Sequence, residues 1–425
     1  MQYYVEPERQ IPIRKTTEVL IVGSGPSGIG AALAAARGGA RTMLIEQGGT
    51  VGGISTAGLM SHWTGTADSR LYREILMRSA ALNEGAIHNK PVIQIDPEKL
   101  KMLYLEMLLE AGVEVQLYTF ACSAVMEQNR ICGVITESKS GREMIGADIV
   151  IDASGDGDIA AKAGVPYTLG RASDGGMQPA TIMFKVAGVD ETRAVFLGSF
   201  ESTYQTGRGE LQALAKQHLP HPAGHVLLYK STLPGVVTCN MTNCTGIDGT
   251  KTEDLTRAEV TCRRQIDTII RFLREFVPGY ENCFLISSAS LMGIRETRHF
   301  HGRYTLTEQD ILEARVFPDW VVKGAHFNFD VHNIAGAGLD ETGVQERFPQ
   351  DKGYTIPYRC FLPEQIDGLL FTGRTMSGTH MAHSNFRAMP ICLAMGEGCG
   401  TAAAISIQNR CALCDVPVEE VQKRL

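Results

Sequence analysis

The chain has 425 residues, 44% of them hydrophobic, enough for a sizeable core and, by length, two or three domains. A formal net charge of −7 excludes the basic stripe of a nucleic-acid surface, and no stretch is read as reaching the roughly 20 apolar residues that span a bilayer. Met1–Lys15 is polar, with two prolines and no apolar run, so it does not read as a secretory signal. The eleven cysteines are odd in number and scattered, which fits reduced thiols in a cytoplasmic protein. Cys239-x4-Cys244 and Cys411-x2-Cys414 have neither a second CxxC nor a His pair at zinc-finger spacing, so no metal centre is expected.

The first organised segment, Glu18-Val-Leu-Ile-Val-Gly23, is a short β-branched run stopped by glycine, the pattern of a buried parallel strand. An Ala/Leu-rich stretch from Gly28 to Gly38 predicts a helix, and Ala40–Glu46 a second strand, completing a βαβ unit. Helices are expected over 70–84 and 96–111, the second opening with Asp96-Pro97 and stopped by Gly112. Val113–Val125, Ile131–Glu137 and Glu143–Ile151 predict successive strands, ending at Asp152-Ala-Ser-Gly-Asp-Gly-Asp158. From about Val165 to Pro363, short strands, Gly/Pro turns and a long helix over Thr252–Phe276 predict an α+β insertion with an antiparallel sheet. Leu369–Gly373 returns to the buried-strand pattern, and an apolar helix over Pro390–Gln408 carries Gly396 and Gly400 on one face. The expected architecture is therefore α/β. A discontinuous Rossmann-type domain over 14–165 and 364–425 is interrupted by a substrate domain over 166–363.

Gly23-x-Gly25-x-x-Gly28, with Pro26 and Ser27 inside it, follows a strand and opens a helix. The first glycine permits the turn, the second admits a pyrophosphate against the backbone, and the third allows close helix–strand packing. Glu46, 18 residues after Gly28, ends the second strand where a carboxylate accepts from adenosine ribose hydroxyls. This unit alone fits NAD or FAD.

The segments beyond it point to FAD by resemblance. Gln47-Gly-Gly-Thr-Val-Gly52-Gly53-Ile54 resembles the Gly-Gly extension of glutathione-reductase-like flavoproteins, Asp152-Ala-Ser154-Gly155-Asp156 their second signature, and Gly373-Arg374 their third. Gly293-Ile-Arg-Glu-Thr-Arg298, Gly302-x-Tyr304-x-Leu-Thr-x-x-Asp310, Asp330-Val-His332, Ile356-Pro-Tyr-Arg359 and His380-x-x-His383 to Arg387-x-Met389 extend the likeness over nearly the whole chain. Together they resemble the FAD-dependent oxidoreductase family related to fumarate reductase and succinate dehydrogenase flavoproteins. The resemblance implies FAD, held also by Ala121 and Met389. No Cys pair follows Gly52-Gly53, so dithiol chemistry is excluded, and no second strand–GxGxxG–helix unit serves NAD(P)H. The dicarboxylate-reductase segment is replaced by His380–Arg387, and His62 is the histidine near the glycine loop.

Flavin chemistry moves a hydride at N5 and requires a proton donor or acceptor, so histidines come first. His380 and His383, between the last strand and last helix, are candidate acid/base groups, and His332 beside Asp330 is a third. Arg387 either anchors a substrate anion through its planar fork or neutralises a local acid. Arg295 and Arg298 flank Glu296, where an internal ion pair competes with substrate binding, and His62 is a further candidate substrate contact. His299 and His301 are weaker candidates. The leading expectation is an FAD-dependent dehydrogenase or reductase of a small polar substrate. The alternatives are an oxygen-using oxidase or monooxygenase, and an electron-transfer subunit with a protein partner.

Overall fold

The computed structural model describes residues 2–82, 92–340 and 353–425. Four parallel strands form the centre of the main sheet: β1 (Ile13–Val22), β2 (Thr42–Ile45), β6 (Gly141–Asp152) and β11 (Leu369–Phe371). β1 pairs with β2 on one side and β6 on the other, β11 pairs with the end of β6, and β3 (Glu114–Gln116) extends the sheet beyond β2. β4 (Phe120–Glu127) and β5 (Arg130–Ser138) return antiparallel against the first half of β6. The single strand expected over 113–125 is thus two. β3 runs parallel to β2 and β4 antiparallel to β5, so the chain must turn between them, and it does so around Tyr118 at φ 54°.

Alternation along the buried strands divides the core into two faces. Val19 and Ile21 join one hydrophobic cluster, Leu20 and Val22 the other, as the period of two requires. Against the first face pack α1 (Pro26–Arg37), α2 (Pro97–Glu110) and the last long helix, α5 (Met389–Asn409). Asp96 caps α2 as expected, accepting from the amides of Glu98 at 2.8 Å and Lys99 at 3.4 Å. The helix expected over 70–84 runs Arg70–Leu82, and its last two expected residues lie outside the described ones. α5 is long and apolar enough by composition to cross a membrane, contrary to the expectation of no such stretch, yet 94% of its most apolar 18-residue window is buried inside the fold. Its glycines explain that burial. A Cβ on Gly396 would lie 1.9 Å from the Ser27 carbonyl oxygen and one on Gly400 2.2 Å from that of Ala31, so α5 crosses α1 backbone to backbone.

A second core is built from residues 180–289 together with Leu59. β7 (Phe184–Ala187), β8 (Leu228–Lys230), β9 (Val237–Cys239) and β10 (Phe284–Ser288) form an antiparallel sheet in the order β8-β9-β7-β10. The expected long helix is α3 (Thr252–Phe276), which buries Ala258, Cys262, Ile266, Ile269 and Leu273 on one stripe. Residues 306–362, expected within the insertion, contribute Leu306, Phe317, Val321, Ile356 and Phe361 to the first core instead.

Candidate active site

The four parallel strands end together, and the segments that follow them converge on one cavity of about 1430 Å³. That exceeds the roughly 300–1,000 Å³ of a site for one drug-sized ligand. Each glycine of the first turn has a distinct role. Gly23 adopts φ 94°, and a Cβ there would strike the Ala153 carbonyl oxygen at 2.5 Å. A Cβ on Gly28 would sit 2.0 Å from the Gly23 carbonyl oxygen, so this position locks the helix onto the turn. A Cβ on Gly25 would meet nothing within 4 Å, and Gly25 lines the cavity. Bare backbone at a helix N-terminus facing empty space is what a pyrophosphate needs.

The second glycine loop faces the first. The Gly52 amide donates to the Ser24 carbonyl at 2.8 Å, and Gly53, at φ 53°, stands where a Cβ would be 2.9 Å from Gly25 Cα. Glu46 lines the cavity and accepts from Ser24 N (3.0 Å), Ser24 Oγ (2.6 Å) and Gly48 N (2.8 Å). Buried Asp152 fixes the next loop, accepting from Ser154 N (3.0 Å), Ser154 Oγ (2.7 Å) and Ala160 N (2.7 Å). Arg374 pairs with Asp156 at 3.0 Å on the cavity wall and keeps Nη1 buried without a partner among the described residues. Gly23, Gly25, Pro26, Ser27, Glu46, Gln47, Gly53, Ile54, Ser154, Gly155, Gly373, Arg374 and Met389 all line the cavity. Gly28 and Gly52 stand behind it. Ala121 is a correction: its neighbour Phe120 lines the cavity, because successive strand residues face opposite sides. These surfaces fit FAD.

The remaining volume ends in a charged group. Arg387, from the turn between α4 (His380–Phe386) and α5, donates to the Asp330 carbonyl at 2.7 Å and carboxylate at 2.8 Å. His332 Nε2 stands 3.2 Å from the same carboxylate. Although burial works against it, His332 and the two guanidiniums hold the Asp330 carboxyl well below the usual range. Burial first, and then Arg295, lowers the His332 pKa to about 4, so its imidazole is neutral at pH 7. His62 also lines the cavity, stacked on Tyr229 at 4.0 Å, and burial lowers its pKa to about 4.

Arg295 is the most informative residue. It is only 8% exposed, donates Nη1 to the Pro179 carbonyl at 2.5 Å and has no carboxylate within 4.0 Å among the described residues. Burial and then neighbouring Arg387 push its pKa down to about 10. A guanidinium this deep, without an acid, is costly by several kcal/mol, and an anion entering the cavity relieves that cost.

Three expectations change place. His380 and His383 do not line the cavity: α4 turns both, three residues apart, toward Glu296 behind the wall, and His380 Nδ1 lies 2.6 Å from that carboxylate. The Arg295–Glu296 pair is not formed, because sequence neighbours point apart and Glu296 takes His299 at 2.8 Å instead. Arg298 does not line the cavity: it binds the Asp158 carboxylate at 2.9 Å and the Asp156 carbonyl at 2.6 Å. The Tyr304 to Asp310 motif is structural, Thr307 and Asp310 forming a capping box. Gln178, Tyr229 and Asn240 were not singled out. Gln178 Oε1 accepts from the His332 amide at 3.1 Å and from Arg387 at 3.4 Å, and Asn240 Nδ2 donates to Tyr229 Oη at 3.4 Å. No local pattern marks them, since each is polar only among buried tertiary neighbours.

The buried neutral histidines set an acid limit on stability. Burial lowers His225 to about 3 and His62 and His332 to about 4, against 6.5 for a free imidazole. The unfolded chain therefore binds more protons than the folded one between those values, and stability falls as pH drops from 6.5 toward 4. Each such histidine contributes a slope of about 1.4 kcal/mol per pH unit. Denaturant unfolding at pH 7, 6 and 5 is expected to show this loss, with His332→Asn removing about one proton from the slope. An unchanged slope in that variant contradicts a neutral buried His332.

Similarities to known proteins agree with this geometry. The digeranylgeranylglycerophospholipid reductase 1 of Methanopyrus kandleri is 30% identical over 150 residues, 32% of this chain and 39% of that protein. The thiamine thiazole synthase of Aeropyrum pernix is 30% identical over 122 residues, 28% of this chain and 43% of that protein. The match thus spans less than half the length of either relative. A geranylgeranyl bacteriochlorophyll reductase-like protein of Thermoplasma acidophilum superposes with TM-score 0.52 at 14% identity, covering 96% of this chain and 82% of that one. The flavin-dependent brominase Bmp2 gives 0.51 at 11% identity, covering 96% and 83%. These two share the fold. The model of the FAD-dependent oxidoreductase family matches residues 18–425, so the chain belongs to that family, is an enzyme of that class, and has FAD as its cofactor.

Proposed function

We propose that the enzyme transfers a hydride between a carbon of a small acidic substrate and FAD. Arg295 and Arg387 would hold the substrate's carboxylate, and His332 would move the proton. Bound FAD supplies the two-electron acceptor or donor at N5. The observation that carries this reading is Arg295, a buried cation on the cavity wall with a single carbonyl as hydrogen-bond partner among the described residues. Arg387 is already committed to Asp330 through Nη2 but keeps Nε buried and, among the described residues, unpartnered. Two guanidiniums against one carboxylate leave this end one charge positive, which favours a monoanion.

His332 is suited to the proton transfer because Asp330 orients it. Its low pKa belongs to the free site; a bound carboxylate opposing the two arginines raises it toward neutrality, where general acid–base transfer is most efficient. The N-terminus of α5 opens on the cavity at Met389, and its free amides favour negative charge there. The electrons would pass to or from a small carrier or a partner protein. Eleven free cysteines suit the reducing cytoplasm.

The test is anaerobic mixing of the oxidised holoenzyme with a panel of small carboxylic acids, following loss of the flavin band. At least one acid is expected to bleach it, and His332→Asn to slow bleaching by about 10²–10⁴-fold. Failure of every acid, with rapid oxygen consumption and hydroxylated product from the reduced enzyme, would make it a monooxygenase.

A further inference from the structure

Behind the cavity wall, four ionisable side chains meet. Glu296 and His299 come from the segment that also carries Arg295, and His380 and His383 from α4, which ends at Arg387. All four are buried. Glu296 Oε2 accepts from the Gln178 amide at 3.1 Å, while Oε1 faces His299 Nε2 at 2.8 Å and His380 Nδ1 at 2.6 Å. His383 is different. It is fully buried, neither ring nitrogen has a hydrogen-bond partner among the described residues, and its ring stands edge-on to His299 at 4.8 Å. His299 Nδ1 is likewise buried and unpartnered. Donor atoms of Glu296, His299 and His383 all lie within 4.8 Å of one another.

A neutral imidazole carries one donor and one acceptor, and buried polar groups of this kind are almost always satisfied. Hydrogen bonding accounts for Glu296, His380 and one nitrogen of His299. It does not account for His383, whose nearest polar company is this cluster. Three imidazoles and one carboxylate are the borderline donors that tetrahedral Zn²⁺ takes, and a site filled by four protein donors is a structural one.

We propose that Glu296, His299, His380 and His383 bind one zinc ion. Donors around tetrahedral zinc stand roughly 3.3 Å apart, from bond lengths of about 2.0–2.1 Å. Metal entry therefore opens the two short Glu296 contacts and draws inward both His383 and His380, which stands outside the 4.8 Å group and meets it through Glu296. The ion ties the Arg295 segment to the helix that ends at Arg387, and so fixes the spacing of the two guanidiniums. It is a positioning centre and touches neither substrate nor FAD.

The test uses the FAD-loaded enzyme, stripped with chelator, equilibrated with zinc chloride, desalted and assayed for metal. About one zinc per chain is expected in the wild type and under one tenth in His383→Ala. Zinc well below one per chain in the wild type, or full retention by His383→Ala, overturns the proposal. If the variant does not fold, cobalt(II) loading of the dithionite-bleached wild type decides. Intense visible d–d bands without sulfur-to-cobalt charge transfer support the site. Their absence, or a thiolate signature pointing to the cysteines, overturns it.

Discussion

Gly25→Val is expected to give a folded, colourless protein. A Cβ at this position meets no atom within 4 Å, so the apo fold should be kept, with thermal unfolding lowered only by the cost of valine at the α1 N-cap, about 1 kcal/mol. The isopropyl group instead occupies the space in which the pyrophosphate approaches bare backbone. Losing that approach should weaken FAD binding by about 100- to 1,000-fold, or about 3–4 kcal/mol. Fluorescence titration of apo-protein with FAD measures it. Gly28→Val is the control that separates space from fold: its Cβ would lie 2.0 Å from the Gly23 carbonyl oxygen, so it should lose both structure and cofactor. Equal FAD affinity in Gly25→Val and wild type would mean that the cofactor does not cross this turn.

Arg295→Met should separate stability from function in the opposite direction. Arg295 is buried without an acid within 4.0 Å among the described residues, so replacing it with a thioether of similar length removes a desolvated charge. By analogy with buried charges replaced by apolar groups, stability should hold or rise by about 1–4 kcal/mol. Substrate recognition should collapse, with kcat/KM falling about 10²–10³-fold, or roughly 3–4 kcal/mol. Arg295→Lys keeps the charge but not the fork, and should recover only part of the loss. A stability loss with unchanged kcat/KM would make Arg295 a structural cation.

The sequence is most legible where one short segment determines the geometry. Gly23, Gly25 and Gly28 with Glu46 form such a segment, and so do the Asp96 cap and the α3 stripe. The α1–α5 crossing was half legible. Gly396 and Gly400 visibly share a face, but the partner they admit lies some 370 residues away in sequence, at Ser27 and Ala31. The histidines were misread for a specific reason. The connection from Gly373 to Arg387, with Gly378, Ser377 and Ser384, reads as a loop, yet Thr379 caps its second half as a short helix, accepting from the Ala382 amide at 3.1 Å. That helix puts residues 380 and 383 on one face, toward Glu296, and leaves Arg387 at its end, turned toward Asp330. His332 and Asp330 are two apart in sequence and meet side chain to side chain, a pairing that their spacing allows but does not require. Gln178, Tyr229 and Asn240 come together only through the second core, which no local pattern foretells.

The measurement that bears most directly on the acidic-substrate site is perturbation of the oxidised flavin spectrum by matched pairs of small carboxylic acids and their amides, in wild type and Arg295→Met. The expected result is saturable perturbation by carboxylates in the wild type, binding at least about tenfold tighter than the amides and lost in Arg295→Met, tenfold being about 1.4 kcal/mol. Amides binding as well as acids, or carboxylates binding equally to both proteins, would contradict an anion site at Arg295 and Arg387.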